Sequence, residues 1–335
     1  MSLTERQRDI VRARLRSLRD KNSVRTLDPV DPSRAYEASY YREIVRPVEG
    51  IATLVDRDLL PLLERYEGQY AVENGRFLFA DSDVRRIVGD ALNGFEQYSN
   101  SFGSFAARTA ERFTRRNDDY HYRKFVSGVN RQFGVNITEQ MSEYGVTPIL
   151  QKTTKDNVDL IVDLPKQYYE KINDIVYGGL TGGDDFVSIR KQLENLEGIS
   201  KRRAKLIAVD QTGKLVGKLN QVRQSNEGIT RYQWDANLDA RTRQRHIDND
   251  GDVFDWSDTN PGKAFGRPGE EVRCRCTGRG VIDEGVLAGR NSRPEVPRIP
   301  TVKRKPLVKP VKASPLPRIG PRRVIRELSV VKGKR

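Results

Sequence analysis

Cys274 and Cys276 stand one residue apart after a Pro- and Gly-rich loop, and His246, one of two histidines in 335 residues, lies upstream of them. Thiolates and imidazoles are zinc ligands, so His246, Cys274 and Cys276 supply three, with Asp239 or Asp248 as a fourth. The spacing contains no Cys-x-x-Cys or His-x-x-x-His pair. The reading preferred from sequence is therefore no cofactor, and a strand whose cysteines face inward as small hydrophobes while Arg275 faces out. A disulfide across one intervening residue needs a strained ring and an oxidising compartment, and is not expected. His246 with Asp239, Arg241 and Arg243 has a second chemistry open to it, phosphodiester cleavage by a histidine base with arginines holding the charge on phosphate. No second histidine or carboxylate cluster accompanies them. The preferred reading is a helix face that organises the loop carrying Arg273–Cys276. The run Asp248-Asn249-Asp250-Gly251-Asp252 fails the Gly and Glu positions of a calcium loop and reads as a turn.

Bringing these side chains together takes a helix, a strand and a turn. Ala204, Ile207, Ala208, Leu215 and Leu219 form an apolar stripe that predicts a helix over 201–222. Thr230, Tyr232 and Trp234 alternate as one face of a strand. Asp239 is placed to cap a short helix to about Ile247, which puts Asp239, Arg243 and His246 on one face. Asp250-Gly251 turns the chain into a short strand at Val253 and Phe254. Helix, strand, turn and strand within 90 residues make a small α+β module.

Residues 33–198 read as mainly helical. Ile44, Val48, Ile51, Val55, Leu59 and Leu62 recur at helical spacing, with Pro47 and Pro61 as kinks or helix starts. Asp81-Ser82-Asp83 caps a further helix, and another covers 102–113. Two more are expected at 156–177 and 184–196, divided by the Gly178-Gly179 and Gly182-Gly183 pairs. His121, beside Tyr120, Tyr122 and Phe125, reads as a histidine satisfied in an aromatic cluster. The expected division is a basic helical arm (1–32, with its helix over 2–21), a helical scaffold domain (33–199), the α+β module (200–284) and an extended basic tail (285–335). The fold class is α+β.

The charge is unevenly spread. Of the net +14, residues 290–335 hold +13, together with eight of the sixteen prolines. Proline removes backbone donors and like charges repel, so this tail is expected to be extended rather than packed. Lys303, Arg304, Lys305, Lys309, Lys312, Arg318, Arg322 and Arg323 are its candidates for nucleic acid or an acidic partner. The remaining 289 residues are electrically even, which argues against a generally basic nucleic-acid-binding fold. No apolar run approaches the ~18 residues of a membrane span and the first residues lack an apolar leader core, so a soluble protein with no membrane partner is expected.

An ordered series of residues adds a resemblance. Arg203-Ala204, Ile207-Ala208, Asp210-Gln211-Thr212, Gly228-Ile229, Tyr232-x-Trp234, Asp239-x-Arg241-x-Arg243, His246, Asp250-Gly251, Phe254, Pro268-Gly269 and Cys274-Arg275-Cys276 together resemble the phage Mu F-like family of tailed bacteriophages, the minor head or head morphogenesis proteins. The likeness covers about residues 200–283. It implies a structural protein inside the capsid, near the portal, that assists head assembly, DNA packaging or genome delivery. It implies the portal protein, the major capsid or scaffolding protein and packaged double-stranded DNA as partners, and the host cytoplasm as the place of assembly. Trp234, Asp239, Arg241, Arg243, His246, Asp250, Gly251, Cys274, Arg275 and Cys276 carry over as fold-defining positions, with no catalytic role. Two alternatives stay open: an ejected nuclease-like effector using His246, Arg241 and Arg243, and a zinc-stabilised DNA-binding adaptor.

Overall fold

The computed structural model describes residues 25–65, 70–73, 76–79, 82–133, 143–182 and 184–282. The basic arm expected at 2–21 and the tail from 285 onward, with Lys303, Arg304, Lys305, Lys309, Lys312, Arg318, Arg322 and Arg323, lie outside the described residues. What is described is α+β and mainly helical, with one four-stranded antiparallel sheet and one hairpin. No helix among the described residues is long and apolar enough to cross a membrane.

In chain order the elements are β1 (Thr26–Leu27), α1 (Arg34–Ile44), α2 (Arg46–Leu54), a π-helical turn (Val55–Leu59), α3 (Leu60–Arg65), β2 (Tyr70–Glu73), β3 (Arg76–Phe79), α4 (Ser82–Ser99), α5 (Gly103–Phe133), α6 (Val146–Gly182), α7 (Phe186–Asn226), β4 (Arg231–Asp235), α8 (Gln244–Asp248), β5 (Val253–Asp255) and β6 (Thr277–Val281). Two compact units divide them. One contains the described residues of 42–106 and 158–205, the other those of 1–41, 107–157 and 206–310.

The first unit is built from helix faces and the β2–β3 hairpin. Pro47 sits in the first turn of α2, where its missing N–H costs no hydrogen bond. Before Pro61 the chain takes the π-helical turn, closed by the Leu60 N–H on the Val55 carbonyl. Val48, Ile51, Leu59, Ile87, Leu92, Phe95, Ile172, Val176 and Ile189 are buried in it. Gly178-Gly179 lies inside α6 instead of ending it, a correction to the expected break. A Cβ at position 179 would stand 2.7 Å from Ile189 Cγ1, so the glycine is used for close helix packing. Likewise 184–196 and 201–222 are one helix, α7, of 41 residues.

The second unit carries the module. Its sheet runs β1-β6-β4-β5, every pair antiparallel. β4 is central, with Tyr232 opposite Gly280 on one side and opposite Phe254 on the other. Tyr232 and Trp234 share a face, as the alternation predicts, while Gln233 is buried on the opposite face and donates to the Gly251 carbonyl at 2.9 Å. α7 lies against this sheet through Gln224, which donates to the Gly278 carbonyl (3.0 Å) and accepts from the Trp256 indole (3.1 Å). Leu27, Val30, Phe125, Val126, Val129, Ile229 and Ile282 form one apolar cluster of the unit. Tyr232, Trp234, Trp256, Ala264, Cys274 and Cys276 form another.

A buried polar network joins α5 to α7. Arg223 is fully buried and donates to Asp118 Oδ1 (2.6 Å), to His121 Nδ1 (3.0 Å) and to Glu143 Oε1 (3.3 Å). His121 Nε2 meets Asn220 Oδ1 at 2.9 Å, and Asn220 also brackets the N–H and carbonyl of Val30. The ring is thus neutral, with the proton on Nε2 and Nδ1 accepting from Arg223. Burial, and then the Arg223 charge, push the His121 pKa well below its ordinary value. The unfolded chain therefore binds the proton that the folded unit refuses, and stability is complete above about pH 6.5 and falls as the pH drops below it. The expected loss approaches about 1.4 kcal/mol per pH unit. Urea melts at pH 7 and 5 check this, and His121→Gln, which keeps one acceptor and one donor, should flatten the dependence.

Candidate functional site

His246, Cys274 and Cys276 meet in the interior of the module. α8 is only five residues long, and Arg243 precedes it in extended conformation as its N-cap. That shortness corrects the expected helix from Asp239, so Asp239 does not share a helical face with Arg243 and His246. Asp239 instead sits in a turn, where its Oδ1 accepts from the Arg241 N–H at 2.9 Å and its Oδ2 pairs with Arg275 at 2.5 Å. The pairing lowers the Asp239 pKa in spite of some burial. Arg241 is exposed. Asp250 and Gly251 make the expected turn: Gly251 has φ 88°, Asp250 Oδ1 accepts from the Ala236 N–H at 2.8 Å, and the Gly251 N–H reaches the Trp234 carbonyl at 2.9 Å.

The imidazole of His246 is held from both sides. Its Nε2 lies 2.7 Å from Glu271 Oε1. Its Nδ1 lies 3.7 Å from Cys274 Sγ and 3.5 Å from Cys276 Sγ. The ring stands edge-on to Trp234, with centroids 5.3 Å apart. Arg245 pairs with both Glu271 oxygens, Arg243 stands 3.6 Å from Oε2, and the Phe265 N–H donates to Oε1 at 3.2 Å. Burial opposes ionisation of Glu271, but Arg245, His246 and the Phe265 amide outweigh it and hold the pKa down to about 2. Burial likewise opposes charge on His246, yet Cys274 and Glu271 raise its pKa overall. The Cys276 thiol, against burial and with His246 and the Gly269 N–H, pulls the Cys274 thiol down, and the same contact pushes Cys276 up.

The loop that brings Cys274 to this place is pinned on α7. Gly269 (φ 88°) packs on Gly213 and Gly217, and its N–H donates to Cys274 Sγ at 3.4 Å. Arg273 takes a left-handed φ of 57°, a conformation uncommon outside glycine, and its N–H is fixed by Asp210 Oδ1 at 3.0 Å. From there the chain is extended through Cys276 into β6, so the two cysteines point inward and Arg275 outward. A Cβ at position 217 would stand 2.7 Å from the Pro268 carbonyl oxygen, which is backbone and cannot move aside alone. Gly217→Ala should therefore cost ~1–3 kcal/mol by overpacking, despite alanine's better helix propensity, as read in a urea titration followed by tryptophan fluorescence.

Of the residues singled out from sequence, His246, Cys274, Cys276 and Trp234 converge. Asp239 and Arg275 form a neighbouring ion pair, and Arg243 binds the Val272 carbonyl at 2.7 Å. Asp248 is paired instead with Lys263 at 3.0 Å. Glu271 is the site's unforeseen member, and Asp210, quoted above only within the motif series, gains a role there by fixing the Arg273 N–H. Glu271 carries no periodic signal, since it lies in a loop 25 residues from its histidine.

A short helix, a twisted sheet and a long loop clamped on a glycine-notched helix thus define a small α+β module with a buried His–Cys–Cys cluster. Residues 170–279 match the model of the family described as Phage Mu protein F like protein, and that span includes every residue of the cluster. Over that span the chain is similar to the phage Mu F-like family. A relative from Haemophilus influenzae (strain ATCC 51907 / DSM 11121 / KW20 / Rd), described as an uncharacterized protein, is 26% identical over 273 residues, which are 81% of this chain and 59% of the relative. The chain therefore spans less than two thirds of that relative's length. No solved structure matches.

Proposed function

We propose that this chain is a structural minor head protein of a tailed bacteriophage, located inside the capsid near the portal, where it assists head assembly, DNA packaging or genome delivery. The family match over 170–279 carries the reading. The geometry of the cluster supports a structural rather than a catalytic role: His246 is 2% exposed and both its ring nitrogens are engaged, which leaves no imidazole nitrogen for a phosphodiester. The partners proposed are the portal protein, the major capsid or scaffolding protein, and packaged double-stranded DNA. Chemical cross-linking of intact particles followed by mass spectrometry tests the placement. Cross-links from this chain to the portal are the expected result, and cross-links confined to the outer capsid surface would overturn it.

The DNA contact is assigned to the basic tail. Each phosphate neutralised contributes about 0.9 to the slope of log affinity against log salt on B-form DNA. Changing Lys303, Arg304, Lys305, Lys309, Lys312, Arg318, Arg322 and Arg323 together to glutamine should reduce that slope by up to about 7, measured by fluorescence anisotropy at several salt concentrations. An unchanged slope would remove DNA from the list of tail partners.

A further inference from the structure

We propose that His246 Nδ1, Cys274 Sγ and Cys276 Sγ bind one zinc ion, and that Glu271 is the positioning residue that orients the imidazole. This goes beyond the role in the head and does not depend on it.

Three observations carry the proposal. The first is distance. Zinc bonds of about 2.3 Å to sulfur and 2.0–2.1 Å to nitrogen, at tetrahedral angles, place a ligand sulfur and a ligand nitrogen about 3.6 Å apart. The two sulfurs stand 3.7 and 3.5 Å from His246 Nδ1, and the three ligand atoms lie within 4.8 Å of one another. A single imidazole nitrogen can accept one proton or donate one, so it cannot serve two thiols at once. One ion among the three atoms satisfies all of them.

The second observation is the surroundings of the ligands. The far nitrogen of His246 is hydrogen-bonded to Glu271, the carboxylate–histidine pairing that fixes ring orientation in zinc sites. That carboxylate is held in turn by Arg245 and by the Phe265 N–H. Cys274 Sγ accepts from the Gly269 N–H. Cys274 thus has the backbone donor that supports a metal-bound thiolate, and Cys276 lies beside it at the same imidazole nitrogen.

The third is the fold around the cluster. Between β4 and β6 the chain has 41 residues but only α8 and β5 as regular elements. An ion ligated from α8 and from both sides of Arg275 would tie this irregular stretch across its width, as structural zinc does in small folds with little regular backbone bonding. The soft and borderline donor set selects zinc over calcium, magnesium or manganese. Thiolate, imidazole and carboxylate also make up a cysteine nucleophile, but that needs one sulfur open to substrate, and here both cysteines are buried.

The test uses the full chain, expressed with zinc in the medium and purified without a metal-chelating tag. Elemental analysis should give about one zinc per chain. Titration of its two thiols with an organomercurial should release that zinc to a chromogenic chelator, one ion for two thiols. Cobalt added to the metal-free chain should give a thiolate-to-metal charge-transfer band, absent in the Cys274→Ser, Cys276→Ser double variant. Glu271→Gln should keep the band but weaken metal affinity about 10–100-fold. A wild-type chain that takes up no zinc and gives no cobalt band overturns the proposal, as does zinc that the mercurial fails to release. The release measurement needs no variant, so it decides even if a substitution prevents folding.

Discussion

Arg223→Ala is expected to remove ~3–5 kcal/mol from the stability of the unit that carries the module, a large share of the ~5–15 kcal/mol that holds an ordinary domain folded. The guanidinium is fully buried, and so is the Asp118 carboxylate 2.6 Å from it. Truncation leaves that carboxylate in the interior without its main cation, and strips His121 Nδ1 of its donor. The cost arises from what stays behind more than from the pair itself, because two charges taken from water pay most of their attraction back as desolvation. Removing both partners should therefore hurt less than removing Arg223 alone. The double variant Arg223→Ala, Asp118→Ala is expected to recover part of the loss in urea titrations of the full chain. Arg223→Lys should behave nearly as badly as alanine, since one ammonium cannot replace a planar fork that reaches Asp118, His121 and Glu143 together. A single-variant cost below about 1 kcal/mol would mean that water reaches this network.

What was legible in the sequence follows from what periodicity encodes. Tyr232 and Trp234 declare their strand because alternate side chains share a face, and Asp250-Gly251 declares its turn because its backbone needs the left-handed region. Cys274 and Cys276 face inward with Arg275 outward for the same reason as any extended segment. Helix boundaries were legible only where packing agrees with propensity. Gly178-Gly179 costs about 1 kcal/mol per residue in a helix relative to alanine, yet α6 passes through it, because close packing at Gly179 outweighs that penalty. β1 has two residues, too few for any pattern. The β2–β3 hairpin did leave a signal, the Asn74-Gly75 pair between Tyr70–Glu73 and Arg76–Phe79, which a helical reading of the whole segment passes over.

The site divides along the same line. His246 and the two cysteines stand out because their types are rare in this chain, and rarity survives without knowledge of the fold. Glu271 and Asp210 belong to a chain with 46 acids, so residue type alone cannot single them out. Their roles come from a loop that folds back on α7 over 63 residues of sequence separation, which no local spacing records. The expected helix face of Asp239, Arg243 and His246 failed for a related reason. Asp239 finds closer partners in the Arg241 amide and Arg275, and this turn ends before the helix begins.

The second large effect is expected at Trp234. Trp234→Ala should cost ~3–5 kcal/mol, the range for emptying a large aromatic site. Trp234 is fully buried in the cluster with Tyr232, Trp256, Cys274 and Cys276, and its strand is paired on both sides, so the backbone has little freedom to collapse into the space. Its indole also forms the wall against which the edge of His246 is held, at 5.3 Å between centroids and 66° between planes. Trp234→Phe keeps an aromatic wall and loses the ring N–H and part of the volume, so it should fall well short of the alanine variant. The two should separate further in the reaction of the cysteines with an alkylating reagent under native conditions. With the wall gone, Cys274 and Cys276 become open to solvent and should label faster in the alanine variant than in wild type or Trp234→Phe. Equal labelling in all three, with an alanine cost under about 1 kcal/mol, would mean that the module does not pack around this ring.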